Sequence, residues 1–262
     1  FIGIGGIGLS ALARFLNFDG HSVSGSDMKS SSITKELEKE GIKVSCPQEA
    51  KNISDDLYLV IYSAAVTDEN PELIEARLKQ IRTLSRKEAL PIILGDKKNY
   101  CVAGAHGKST TTAILATILQ SSALIGAISK EFGSNFRYVD KTVAFEADES
   151  DASFLLSNPY CAIVTNAEPE HMEYYHYDYD KFYESYEKFL SLAKVKVVNG
   201  EDKDVAKLKI ENATILYPSK DIKNLCYTLK DNQPCTKFDL KDLGTFEVWG
   251  FGFHMATNAS LA

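Results

Sequence analysis

Along the first third of the chain, short apolar runs alternate with amphipathic stretches, the pattern of βαβ units built on a parallel sheet. Strands are expected at Phe1–Ile4, His21–Gly25, Leu57–Ser63 and Ile81–Leu84, with helices at Leu9–Phe18, Ile33–Glu40 and Pro71–Gln80. Ser31 or Ser32 can cap the second helix, and Asn70-Pro71 opens the third, where the missing proline N–H is no loss. The polar segment Gly95-Asp96-Lys97-Lys98-Asn99 interrupts this alternation, which then restarts. A Rossmann-like domain is therefore expected at 1–96 and a second α/β domain at 97–262. In the second, strands are expected at Tyr100–Ala103, Thr142–Glu146, Cys161–Thr165 and Val195–Val198, and helices at Ser109–Gln120 and Lys181–Leu192. Beyond Gly200 the pattern weakens to a few extra β pieces, at Thr214–Tyr217, Cys226–Leu229 and Thr245–Trp249.

Composition narrows the classes. With 262 residues, 44% of them hydrophobic and 25% charged, the chain can build two globular cores. A net charge of −7 gives no global positive field. Nucleic acid and anionic membranes are thus not expected as partners, and any phosphate site must be local. No apolar run approaches the ~20 residues that span a bilayer. The five cysteines form no CxxC pair and are too few for a disulfide scaffold, so reduced thiols and a cytoplasmic location are expected. The chain begins in an apolar run without Met and stops at Asn258-Ala259-Ser260-Leu261-Ala262, which reads as the start of a helix. A longer parent polypeptide is expected.

Two motifs carry phosphate chemistry. Gly3-Ile4-Gly5-Gly6-Ile7-Gly8 fits GxGxxG between a strand and a helix, and Asp27 follows at the end of the next strand. The glycines let the backbone approach a pyrophosphate, and the helix N-terminus supplies unpaired N–H groups and a positive dipole end. The motif alone does not separate NAD from another diphosphate nucleotide.

The second motif, Gly104-Ala105-His106-Gly107-Lys108-Ser109-Thr110-Thr111, joins a strand to a helix as a P-loop does. Its loop amides would wrap phosphates, Lys108 would neutralise the outer oxygens, and the Ser109 hydroxyl would ligate Mg²⁺. It departs from GxxxxGK[ST] at the first position, where Val102 stands. Two acidic clusters end later strands at the same sheet edge: Glu146-Ala147-Asp148-Glu149-Ser150-Asp151 and Glu168-Pro169-Glu170-His171. The aromatic run Tyr174, Tyr175, His176, Tyr177, Tyr179 and Tyr183 has no basic surround and is expected to pack.

Taken together and in this order, these segments resemble the Mur ligases of peptidoglycan synthesis. The likeness extends through Ser24-Gly25-Ser26-Asp27, Ser63-Ala64-Ala65-Val66, Asn70-Pro71-Glu72, Asn166-Ala167-Glu168-Pro169-Glu170-His171-Met172 and His254-Met255-Ala256-Thr257-Asn258-Ala259. It implies an ATP- and Mg²⁺-dependent ligase that phosphorylates the carboxylate of UDP-N-acetylmuramate and passes the acyl group to L-alanine. By the same resemblance Gly3, Gly5, Gly6, Gly8 and Asp27 hold the UDP half, and Ser63 and Arg86 lie along that substrate. Asn135 and Arg137 match positions at its sugar-acid end. Gly104, Ala105, His106, Gly107, Lys108, Ser109 and Thr110 hold ATP phosphates, while His254 and Asn258 match a nucleoside-binding HNxxN pattern. Lys108, Glu146 and His171 are the expected catalytic groups; Ser109 and Glu146 would take one Mg²⁺ and His171 a second. Met255 replaces the first Asn of HNxxN, and Tyr186 stands near the place where some relatives carry a carbamylated lysine.

The resemblance further implies a third, C-terminal domain beyond Ala262, inactivity of these 262 residues alone, and a monomer or weak dimer. The rival functions are a recycling ligase that attaches a whole peptide to the same UDP-sugar, a nicotinamide oxidoreductase, and a non-catalytic nucleotide-binding module.

Overall fold

A computed structural model describes every residue from Phe1 to Ala262. In chain order the elements are α1 (Ile7–Phe18), β1 (Ser24–Ser26), α2 (Ser32–Lys39), β2 (Lys43–Ser45), β3 (Leu59–Tyr62), α3 (Pro71–Leu78), β4 (Arg82–Ser85) and α4 (Arg86–Leu94). There follow β5 (Lys98–Ala103), α5 (Lys108–Leu119), β6 (Ser122–Ser129), β7 (Ser134–Arg137), β8 (Thr142–Glu146), β9 (Pro159–Val164), α6 (Tyr179–Leu192) and β10 (Val195–Asn199). The last are β11 (Thr214–Leu216), α7 (Pro218–Asp221), β12 (Ile222–Lys230), β13 (Gln233–Leu240), β14 (Gly244–Trp249) and α8 (Phe253–Leu261). The chain forms two compact units, Phe1–Asp96 with Leu124–Tyr138, and Lys97–Ala123 with Val139–Ala262. Both have the α/β character the alternation predicts.

In the first unit, β1 pairs with β2 and β3 with β4, both parallel. The expected strand at Phe1–Ile4 shrinks to Ile2, which bridges Ser26 on one side and Tyr62 on the other. Gly3 turns the chain into the loop immediately afterwards, with φ at +79°. Ile2 packs with Ile53, Val60, Leu73 and Ala76, and Ile4 with Ala13, Leu37 and Ile42. Ser31 is the N-cap of α2: its hydroxyl accepts the Thr34 N–H, and the Thr34 hydroxyl accepts the Ser31 N–H.

Residues 124–138 also belong to this unit. Phe136 and Tyr138 lie against Phe15 and Phe18 of α1, with ring centroids 5.4–6.5 Å apart. Such a return cannot be seen in hydrophobic periodicity, which is a local signal.

In the second unit β5 lies between β8 and β9, parallel to both, and β9, β10 and β11 continue in parallel. Cys101-Val102-Ala103 and Ala162-Ile163-Val164 are buried runs, as strands covered on both faces require. Phe182, Tyr186, Phe189 and Leu190 form the buried stripe of α6, and Phe154 stacks on Phe189 at 4.9 Å. The antiparallel sheet β12-β13-β14 completes the unit.

Candidate nucleotide-phosphate sites

The first loop leads into α1, whose N-cap is Gly6 and whose first turn carries no side-chain cap and no acid. Its amides are thus the kind of donors an anion meets at a helix N-terminus. Asp27 is tied to the loop: its Oδ2 accepts the Gly5 N–H at 2.8 Å, and its Oδ1 accepts the Met28 N–H at 2.8 Å. A Cβ on Gly5 would stand 2.8 Å from that carboxylate, and one on Gly3 would stand 3.0 Å from the Ser63 Cβ. Ser63 follows β3, and its N–H donates to the Ile2 carbonyl at 3.0 Å. Arg86, at the start of α4, comes beside Gly8: a Cβ there would be 3.2 Å from its Nε. That Nε is buried and has no hydrogen-bond partner. A cationic group with an unpaired donor therefore sits next to the head of α1, together with Gly3, Gly5, Gly6, Gly8, Ser63 and Asp27.

Asn135 is the residue expected at the sugar-acid end of a substrate. It is fully buried, its Nδ2 donates to the Ile7 carbonyl at 2.5 Å and to Ser10 Oγ at 3.0 Å, and its Oδ1 accepts from Arg14 at 2.6 Å. Its polar atoms are engaged within the protein. Arg137 is half-buried with its guanidinium 4.5 Å from the Phe132 ring centroid; burial lowers its pKa and Glu131 opposes that shift.

In the second unit the P-loop runs from the end of β5 to the start of α5. Gly104 has φ at +136°, and a Cβ there would strike Thr165 Oγ1 and lie 2.8 Å from the Asn166 carbonyl oxygen. Gly107, the N-cap of α5, has φ at +84°. A Cβ on it would stand 2.7 Å from Asn258 Oδ1, which puts the half-buried Asn258 of α8 directly against the loop. Only glycine holds such conformations without strain and leaves this close approach open.

The residues after β9 hold the loop from the other side. Asn166 Oδ1 accepts the His106 N–H at 3.1 Å while its Nδ2 donates to the His106 carbonyl at 2.8 Å. The Thr165 hydroxyl donates to the same carbonyl at 2.6 Å. The exposed His106 ring lies 3.7 Å from Glu168 and 3.6 Å from Glu170. Ala105, Ser109 and Thr110 are half-buried around the loop and the first turn of α5.

Lys108 Nζ donates to the Gly104 carbonyl at 2.6 Å and to Glu149 Oε1 at 2.9 Å. Glu149 is the feature that sequence reasoning did not single out from its cluster. Its side chain is 5% exposed, Oε2 has no partner, and burial raises its pKa although Lys108 pulls the other way. Tyr175, pushed up to about 12 mainly by burial, donates its hydroxyl to the Glu149 carbonyl at 2.6 Å. The expected metal ligand Glu146 is half-buried at the end of β8. His171 is exposed in the loop after β9 with φ at +51°, and no three His, Cys, Asp or Glu side chains converge as a metal cage.

His254 is exposed on the first turn of α8, next to Gly252. The aromatic run divides: Tyr175 is buried, whereas Tyr174, Tyr177 and Tyr179 are 47–65% exposed, so the packing expectation holds for only part of it. Left-handed backbone at His176 and Tyr177 turns that stretch outward.

A strand–loop–helix with a lysine-bearing glycine loop in one unit, and a second glycine loop on a parallel sheet in the other, give the chain the architecture of a P-loop nucleotide-binding protein. The chain belongs to the Mur ligase family. It matches the Mur ligase family catalytic domain over residues 1–98 and the Mur ligase middle domain over residues 102–262. Over its whole length it is 57% identical to the UDP-N-acetylmuramate–L-alanine ligase of Campylobacter curvus, of which it covers 60%. It is 49% identical to the ligase of that name from Helicobacter pylori, covering 58% of that protein. The crystal structure of the UDP-N-acetylmuramate–alanine ligase of Thermotoga maritima superposes with a TM-score of 0.83 at 28% identity, covering all of this chain and 62% of that one. The chain thus spans about 60% of the length of the curated relatives it matches.

Proposed function

We propose that the protein is an ATP-dependent ligase that joins L-alanine to UDP-N-acetylmuramate in the cytoplasm during peptidoglycan synthesis. The observation that carries this reading is the P-loop itself, in which Lys108 is held between the Gly104 carbonyl and the buried Glu149 while Asn258 lies against Gly107. The two relatives named above, similar along the entire chain, support the choice of substrates.

In the proposed reaction a carboxylate oxygen of the sugar acid attacks the γ-phosphorus and ADP leaves. The amine of L-alanine then attacks the acyl carbon; phosphate departs and the amine loses a proton. The protein's contribution is positioning and charge neutralisation. Lys108 exchanges its carbonyl partner for phosphate oxygens. The uncapped amides of α1 and the guanidinium of Arg86 receive the diphosphate of the UDP-sugar. Magnesium suits the donors of the second unit: the Ser109 hydroxyl and the Glu146 and Glu149 carboxylates are hard oxygens, and Glu149 has one unpartnered. When bound, it would neutralise charge on the transferring phosphoryl group.

The test is phosphate release from ATP and UDP-N-acetylmuramate by the full-length protein with single amino acids. Release with L-alanine is expected. Release only with a peptide would transfer the assignment to a recycling ligase, and ATP binding without either would leave a non-catalytic module.

A further inference from the structure

One buried polar network in the first unit serves no step described so far. Arg14, in the second turn of α1, is 1% exposed. Its Nε donates to Glu40 at 2.7 Å and its Nη2 to Glu36 at 3.3 Å, both at the far end of α2 and both partly open to solvent. Its Nη1 donates to Asn135 Oδ1 at 2.6 Å. Asn135, on β7, passes the chain of bonds on to the Ile7 carbonyl and to Ser10 Oγ. Ser10 Oγ in turn donates to the same Ile7 carbonyl at 2.9 Å.

The bonds of Asn135 and Ser10 end at the first turn of α1. Ile7 is the residue after the N-cap Gly6, so its peptide belongs to the turn whose free amides point away from the helix toward an anion. A helix end with no side-chain cap frays readily, and α1 has none. Buried charged and amide groups are costly unless fully paired, and when paired they fix one geometry. A buried arginine spanning α1, α2 and β7 is thus a means of setting where that helix end stands.

We infer that Arg14 and Asn135 are positioning residues for the UDP-sugar: through Ser10 and the Ile7 carbonyl they fix the head of α1 where the diphosphate binds, without touching it themselves. The inference rests on the proposed UDP-sugar reading of the first unit. It gives Asn135 a role one step removed from the direct substrate contact suggested by resemblance.

The experiment measures calorimetric affinity for UDP-N-acetylmuramate and for ATP, with amide hydrogen exchange of the unliganded protein. Variants are Arg14→Met, Asn135→Leu and Ser10→Ala. The first two should raise Kd for the UDP-sugar at least tenfold, leave Kd for ATP within twofold, and speed exchange in the first two turns of α1 but not in β3. Ser10→Ala removes no charge and empties little volume, so it keeps the test valid if the others fold poorly; a severalfold loss is expected. If the wild type binds UDP-N-acetylmuramate and folded variants bind it equally well, the inference is overturned while the UDP-sugar reading stands. If the wild type binds none, the UDP-sugar reading falls and takes the inference with it.

Discussion

Replacing Gly104 with alanine should be the most damaging single-methyl change in the second unit. Two costs arise together. With φ at +136° an L side chain is held outside its favoured basins, at about 1–3 kcal/mol. The new Cβ would also meet Thr165 Oγ1 and the Asn166 backbone, 2.8 Å from its carbonyl oxygen and 3.0 Å from its nitrogen. Neither is a flexible side-chain end, so something in the loop or in β9's exit must shift, at a further ~1–3 kcal/mol typical of overpacking. Against this, alanine narrows the unfolded ensemble and returns ~0.4–1 kcal/mol. The net expectation is a loss of about 3 kcal/mol.

Gly107→Ala provides the internal control. Its φ of +84° costs an alanine ~1–2 kcal/mol, but its Cβ meets only the Asn258 amide, which can swing aside. After the same entropic offset the loss should be about 1 kcal/mol. The single tryptophan, Trp249, lies in the second unit, so urea unfolding followed by its fluorescence reports on that unit. A Gly104→Ala protein within 1 kcal/mol of wild type, or a Gly107→Ala protein less stable than it, would refute the steric reasoning.

Two further outcomes follow from the sites. Because burial raises the pKa of Glu149 above its ordinary 4.5, the folded state holds that proton longer than the unfolded one. The stability linked to it is complete below 4.5 and is lost as pH rises through the raised value. Glu149→Gln should therefore flatten the fall in second-unit stability across that window, as read by urea titrations at stepped pH; an unchanged slope would show that Glu149 titrates normally. Arg86→Met keeps the stem but removes the guanidinium beside Gly8, and should weaken UDP-N-acetylmuramate roughly tenfold, on the order of the 1.4 kcal/mol of one charge-assisted contact. Equal affinity in calorimetry would remove Arg86 from that site.

Much of the fold was legible because its signals are local. The βαβ alternation, the Asn70-Pro71 helix start and the apolar runs of β5 and β9 each depend on neighbours in sequence, and each appears where it was expected. Of the elements that escaped, three did so for plain physical reasons. Helix α4 carries Pro91 inside it, which masks its pattern; the Ser85–Glu88 capping box, confirmed in the structure by reciprocal bonds, was the signal that marked its start. Strand β13 is interrupted by Pro234 and charged positions, yet its hairpin turn is written in Asp231-Asn232, both with positive φ. Strand β7 draws its stability from α1, more than a hundred residues away.

The sites divide along the same line. Both glycine loops could be found because phosphate binding needs a particular backbone shape, and glycines at fixed spacing record that shape in the sequence. Choosing among the carboxylates of Glu146-Ala147-Asp148-Glu149-Ser150-Asp151 is another matter, since they share charge and differ only in direction. The turn after β8 decides: Phe154 N–H donates to the Asp148 carbonyl at 2.9 Å, and Ala152 takes a left-handed conformation. That turn carries Glu149 beneath Tyr175 and against Lys108, while Asp148 bonds to the neighbouring Ser150. Asn135 shows the converse. Its residue type suits substrate binding, but three polar contacts with α1 already engage its amide, so what marks it as important is its burial beside Arg14. In both cases the role follows from which polar atoms the fold has already satisfied, and only the assembled unit determines that.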